Sequence, residues 1–485
     1  MTAVSDRIDS FRQIYEREVV KLMRDRKVPG FVVKITEAGN PIYERAFGFR
    51  SWKGSQPANA DTLFGVASIT KSMTAVAVLQ LREKGSLDLE DPISDYLPVD
   101  LDKFPDNPIR IRHLLCHNSG IPNLGSYGAQ IRNEKLTTFK TNPIPIGNDD
   151  DFYFHLNDSK PWIKFPPGEK FYYNNDAYTL LSKLVAEVSG MNYEEYMREN
   201  LFNPLQMERT TFSRDVVEAD ENHASGYSTT YSEDKFEREE KPHLSGPYQS
   251  GAGGLNTSVN ELTNYLQMQV NHGEFNGKTV LSKEAIEEMW QPHNKQIMAD
   301  QYLLYGDTPV AYGYGLSIRE INGYKVIIHG GASGVSGGQV AFIPELDLTY
   351  THLYNVGWFD SEMMVIALNA LLGSNPYDKV PFFKRRDHFK ELVGHYQSYR
   401  KIYEIEVKVD QGSLVIESDS FSKSTNYLIP INPKTTKPMR FWQYDSLGRL
   451  EIVFTKRSDE IFVEIERNIY RKVSSNRDLE PFKDK

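Results

Sequence analysis

Phe64-Gly-Val-Ala-Ser68-Ile-Thr-Lys71-Ser-Met-Thr-Ala75 runs directly into Val76-Ala-Val-Leu-Gln-Leu81, an apolar, alanine-rich stretch closed by Gly85. That composition predicts a buried helix over residues 69–84 with a glycine stop. Residues three apart on a helix share a face, so the Ser68 hydroxyl and the Lys71 amine can meet at its first turn. A hydroxyl is a poor nucleophile unless a neighbouring base takes its proton. A lysine desolvated against an apolar helix can lose its charge and serve as that base. Backbone N–H groups at the same helix end can stabilise a developing oxyanion.

Ser-x-x-Lys carries little weight by itself, because it also occurs at Ser232, Ser398 and Ser420. Those copies fall in polar, strand-like or turn-like sequence, and only Ser68 enters a long apolar helix. Capping is the competing reading of Ser68. Two distant stretches tip the balance toward catalysis, Tyr173-Asn-Asn175 and His329-Gly-Gly331.

Ser-x-x-Lys is a signature of the serine β-lactamases and penicillin-binding proteins, and this chain resembles that family. Pro167-Gly-Glu-Lys-Phe-Tyr-Tyr-Asn-Asn-Asp-Ala-Tyr178 is similar to the family's Tyr-x-Asn stretch. Leu114-Leu-Cys-His-Asn-Ser-Gly-Ile-Pro122, Asn203-Pro-Leu-Gln-Met207 and Gly251-Ala-Gly-Gly-Leu255 match further landmarks in order. The resemblance covers roughly residues 10–370 and points to the class C-like group of esterases and D-aminopeptidases. It implies a β-lactamase/transpeptidase-like α+β fold, an antiparallel sheet flanked by helices with a helical subdomain. The family's third motif is usually Lys-Thr-Gly, whose cation faces a substrate carboxylate. His329 stands there instead, near neutral by its reference pKa, which favours amide or ester substrates over a β-lactam or a peptide C-terminus.

The resemblance also implies roles. Ser68 becomes the acylated nucleophile, and Lys71 and Tyr173 share the base role. Asn175 orients Lys71 and meets the substrate together with His329, Gly330, Gly331 and Ala332. The N–H groups of Ser68 and Ala332 form the oxyanion hole. The products would be those of a peptidase, an aminopeptidase or an esterase. A β-lactamase or DD-peptidase-like acyl transferase is the alternative, and a silent binding homologue is a further one.

Other signals carry less. Gly334-Val-Ser336-Gly-Gly338 satisfies the Gly-x-Ser-x-Gly elbow, but an extended run ending in Pro344 follows it where the elbow needs a helix. A glycine-rich hairpin is the better reading. His113 and His117 are four apart without an acidic third ligand nearby, so no metal is expected. Asn148-Asp-Asp-Asp151 reads as a solvated loop. No phosphate loop or dinucleotide fingerprint occurs, and no cofactor is expected.

A length of 485 residues suggests two domains. A net charge of −10 argues against nucleic acid and anionic membranes as partners. One cysteine fits a reducing compartment, and the N-terminus reads as an amphipathic helix, so a cytoplasmic enzyme acting on a small molecule or short peptide is expected.

The pattern along the chain predicts a helix over about residues 5–26, strands at 30–36 and 42–49, and helices at 176–189 and 258–271. Strands return at 324–329, 338–343 and 347–354, before a helix from Asp360 to Gly373. Residues 123–165 read as a long loop bordering the pocket. The hydrolase domain is placed at 1–375 and a linker at 376–388. Period-two alternation from Tyr403 to Val409, with Leu450–Phe454 and Ile461–Ile465, predicts a small antiparallel, lipocalin-like β-barrel over 389–475. Such a barrel is a candidate for homo-oligomer contacts.

Overall fold

The computed structural model describes residues 2–25, 27–124, 146–232, 235–242, 250–295, 310–357, 362–410, 413–418, 424–432, 435–445, 448–466 and 468–474. The chain divides into a larger unit ending at Ala367 and a smaller one beginning at Leu368.

Strands from both ends of the larger unit build one sheet. They are β1 (Gly30–Glu37), β2 (Asn40–Ser51), β3 (Gln56–Pro57), β4 (Ala311–Tyr312), β5 (Ser317–Ile321), β6 (Tyr324–Ala332), β7 (Gly337–Ile343) and β8 (Leu348–Tyr354). The order is β4-β5-β6-β7-β8-β1-β2-β3, and the termini meet where β1 pairs antiparallel with β8, Phe31 opposite Tyr354. β6 and β7 form the glycine-rich hairpin expected around Ser336.

Both faces of the sheet are covered, because side chains alternate along each strand. Helix α1 (Thr2–Asp25) buries Phe11 and Tyr15 against Tyr43 of β2, and the Tyr15 hydroxyl meets that of Tyr350 on β8 at 2.9 Å. The opposite face carries Thr36, which accepts a bond from Gln267 at 2.8 Å; Gln267 lies on the helix Val259–Val270. Helix α2 (Thr70–Glu83) has residues 70–81 all buried and lies in the main core. Helix α3 (Asn175–Ser189) packs beside it and ends on left-handed Gly190. Val259–Val270 is α4, and α5 is Glu362–Leu371. The start expected for α5, Asp360, lies outside the described residues, as do 125–145 of the long loop.

Two expectations need correction. The acidic run at 149–151 is no loop: Asn148 accepts the Asp151 N–H and caps a helix, Asp149–Asp158, whose first turn holds the three carboxylates. Carboxylates favour that end of a helix dipole. Residues 376–388 are no linker either. Pro376–Lys379 forms one helical turn and α6 spans Pro381–Leu392, with Phe383 and Phe389 buried. Pro376 and Pro381 sit at the first helical position, where no N–H bond is lost.

In the smaller unit, β9 (Gly394–Gln397), β10 (Glu404–Asp410), β11 (Ser413–Ser418), β12 (Ser424–Pro430), β13 (Arg440–Asp445), β14 (Gly448–Arg457), β15 (Glu460–Ile465) and β16 (Asn468–Ser474) form a closed antiparallel barrel. Closure comes from β9 pairing with β16, which leaves no sheet edge exposed. Val407, Leu414, Phe441, Phe454 and Val463 point inward, with Phe389 and Leu392 of α6 packed into the same cluster. Among the described residues no helix is long and apolar enough to cross a membrane.

Candidate active site

The site starts at a strained turn. Ala67 has a left-handed φ of 46°, a conformation costing of order 1–3 kcal/mol for a residue with a Cβ. Ser68 follows within a 3₁₀ turn, Ala67–Ile69, that feeds α2, and the Thr70 hydroxyl donates to Ala67 O at 2.7 Å. Because α2 is enclosed on every side, Lys71 is 0 % exposed.

The Lys71 amine has three oxygen neighbours: Ser68 Oγ at 3.0 Å, Asn175 Oδ1 at 2.7 Å and Ala252 O at 2.6 Å. The last two can only accept. They take both hydrogens of a neutral amine, and its lone pair is then left for the Ser68 hydroxyl. Burial pushes the Lys71 pKa well below that of a free lysine, while the buried Asp176 carboxylate opposes the shift. The site therefore favours the neutral, basic form.

Asn175 reaches Lys71 because it opens α3. Its neighbour Asn174 caps that helix, accepting from Asp176 N at 2.8 Å and donating to Ile121 O at 2.8 Å. The preceding Tyr173 has its phenol near enough to the Ser68 side chain for Ser68 to influence its pKa, and its ring centroid lies 4.9 Å from the Lys71 nitrogen. Tyr173 is 40 % exposed. Burial raises its pKa, and the influence of Ser68 lowers it by less.

β6 forms the opposite wall. β5 stops pairing with β6 at Ile328, so Gly330, Gly331 and Ala332 continue past it. A Cβ at Gly331 would stand 2.0 Å from Val66 O and 2.9 Å from Ser68 N; only glycine lets the strand run against the Ser68 turn. His329 is brought to the same wall, yet its ring is turned inward and is 5 % exposed. Its Nδ1 lies 2.7 Å from Gly330 O, which can only accept, so Nδ1 carries the proton. Nε2 then accepts from the Tyr312 hydroxyl at 3.0 Å. Burial, and then Lys71, lower the His329 pKa to about 3. His329 is thus a buried ring bonded to Gly330 and Tyr312.

With this geometry in place, comparison with known proteins is decisive. Residues 15–363 match the β-lactamase family. The chain belongs to the β-lactamase family. Penicillin-binding protein 4* of Bacillus subtilis (strain 168) is 31 % identical over 179 residues, 37 % of each chain. The chain thus spans little more than a third of that curated relative. A β-lactamase of Escherichia coli (strain K12) is 24 % identical over 363 residues, 70 % of this chain and 88 % of that protein. The structure of the octameric penicillin-binding protein homologue from Pyrococcus abyssi superposes with a TM-score of 0.82 at 31 % identity, covering 94 % of this chain and 99 % of the other. Residues 376–471 match the Pab87 octamerisation domain.

This β-lactamase-family site also uses groups that the motifs do not advertise. Ala252 O is the second obligatory acceptor for Lys71, and the Gly251-Ala-Gly-Gly stretch was its only signal. Gly251 is required there, since a Cβ would lie 2.4 Å from Tyr178 O. Asp176 acts on Lys71 through its charge and Tyr312 through its bond to His329, and neither left a pattern. His113 and His117 have separate duties: His113 Nδ1 accepts from Arg110 N at 3.1 Å, and His117 Nδ1 accepts from Asn174 N at 3.2 Å.

Proposed function

We propose that this member of the β-lactamase family is a serine hydrolase that cleaves amide or ester bonds through an acyl-enzyme. The observation that carries the reading is the buried Lys71 amine, 3.0 Å from Ser68 Oγ with both its hydrogens spoken for. Ser68 Oγ attacks the substrate carbonyl carbon as its proton passes to the Lys71 lone pair. The N–H groups of Ser68 and Ala332 receive the developing oxyanion. Tyr173, kept as a phenol by its raised pKa, carries the proton to the leaving group. Water then attacks the acyl-enzyme with the proton transfers reversed.

A neutral, inward-turned His329 supplies no fixed cation for a substrate carboxylate. That supports amides of D-amino acids, short peptides and small esters as substrates, handled by an aminopeptidase-like or esterase activity. The likeness to a named β-lactamase and a named penicillin-binding protein supports a second reading, β-lactam hydrolysis or acyl transfer. A panel of D-alanine p-nitroanilide, p-nitrophenyl butyrate and nitrocefin separates the two. The first reading predicts turnover of an anilide or ester with Ser68→Ala inactive; nitrocefin outpacing both would overturn the substrate assignment.

The match of residues 376–471 to an octamerisation domain supports assembly of several copies through the barrel, with the catalytic domain ahead of it. Light scattering should then give a multiple of the 55.6 kDa chain mass, and a monomer would contradict it. A single cysteine fits a reducing, cytoplasmic setting.

A further inference from the structure

His117 touches neither Ser68 nor Lys71 by a hydrogen bond, yet it contacts three consecutive residues, Tyr172, Tyr173 and Asn174, at the start of the opposite motif. Its backbone is left-handed, with φ 59°, and this turns its carbonyl and its ring toward the same strand of chain. The carbonyl accepts from Tyr172 N at 2.7 Å. The ring Nδ1 accepts from Asn174 N at 3.2 Å. Between those two anchors the imidazole lies 4.3 Å from the Tyr173 ring, centroid to centroid, with 39° between the planes.

Tyr173 is thereby fixed from both flanks and along one face. The bond from Asn174 N requires a lone pair on Nδ1, so the neutral ring carries its hydrogen on Nε2. That nitrogen is buried and finds no hydrogen-bond partner among the described residues. The rings of Tyr178 and Tyr312 lie around the imidazole, each 5.0 Å away. Leaving a buried N–H unsatisfied costs about 1–3 kcal/mol. A histidine kept only for packing would have no reason to bear that cost, because phenylalanine fills the same space without it. The cost is understandable if the Nδ1 lone pair and the ring face are both needed to place the phenol.

We propose that His117 is a positioning residue for Tyr173, holding its hydroxyl within reach of Ser68 by clamping the backbone on either side and the ring between. The inference rests on the hydrolase reading above and gives Tyr173's orientation a cause.

A double-mutant cycle tests it on the full chain, with p-nitrophenyl butyrate as substrate. His117→Phe keeps the ring and removes the acceptor. Displacement of a catalytic group by about 1 Å costs on the order of 100-fold, so kcat should fall by about that factor with KM little changed. In a Tyr173→Phe background the same substitution should cost nothing further, because its effect passes through the absent hydroxyl. His117→Asn suits left-handed backbone and returns an acceptor oxygen near the Nδ1 position, so it should recover part of the rate. The cycle run with Asn in place of Phe also covers a His117→Phe variant that fails to fold. Additive losses in an active enzyme would overturn this inference alone. A wild-type chain with no ester turnover would overturn the hydrolase reading and this inference with it.

Discussion

Lys71 Nζ and Ala252 O lie 2.6 Å apart, although 181 residues separate them. The amine cannot donate to that carbonyl and to Asn175 and still keep a lone pair unless it is neutral. The short helix Ser250–Gly253 thus supplies an acceptor to an amine on another helix, while burial is what lowers that amine's pKa.

Gly251→Ala should break this relationship. The added Cβ would stand 2.4 Å from Tyr178 O and 2.6 Å from Ser182 Cβ, so the segment must move away from α3. Overpacking of this kind costs about 1–3 kcal/mol. Thermal unfolding should show a lowered midpoint, and the folded fraction should lose most of its esterase rate. A variant with normal activity would show that Ala252 O is dispensable.

Asp176→Asn should move the acid limb of the pH–rate profile. The Asp176 charge raises the Lys71 pKa against the larger effect of burial. Removing it lowers that pKa further, so the neutral base persists to lower pH and the limb shifts in the acid direction. Asparagine keeps an oxygen for Leu124 N, which donates to Asp176 at 2.8 Å. A limb that stays in place would separate Asp176 from the base.

Acid should unfold the protein through its buried histidines. Burial lowers the pKa values of His113, His329 and His352 from 6.5 to about 3. In that window the unfolded chain binds protons that the folded chain refuses, so stability is full above 6.5 and falls as pH drops toward 3. Each group contributes about 1.4 kcal/mol per pH unit inside the window. Urea midpoints measured from pH 7 to pH 4 should decline steeply; a flat profile would mean that these rings take up protons while folded.

The sequence made Ser68 and Lys71 legible because a local rule places them, an i, i+3 pair at the start of an apolar helix; Asn175 came from the resemblance of its stretch to the family's Tyr-x-Asn motif. Ala252 and Asp176 were not legible, since one depends on a contact across 181 residues and the other on a charge acting through the interior; Tyr312 was not, because its bond to His329 joins β4 to β6 with no motif to mark it. The same divide runs through the fold. Alternation from Tyr403 to Val409 announced a strand, whereas closure of the barrel depends on β9 meeting β16, which no local pattern encodes. Asp149–Asp151 misled because carboxylates mark both solvated loops and first turns.

The most direct test of the account is the rate at which a fluorophosphonate modifies Ser68, followed by mass spectrometry against pH in the wild type and in Lys71→Met. A neutral buried base predicts a rate that levels off well below pH 10.5, with modification nearly abolished in the variant. A wild-type rate still climbing through pH 10.5, or a variant labelled as fast as the wild type, would contradict it.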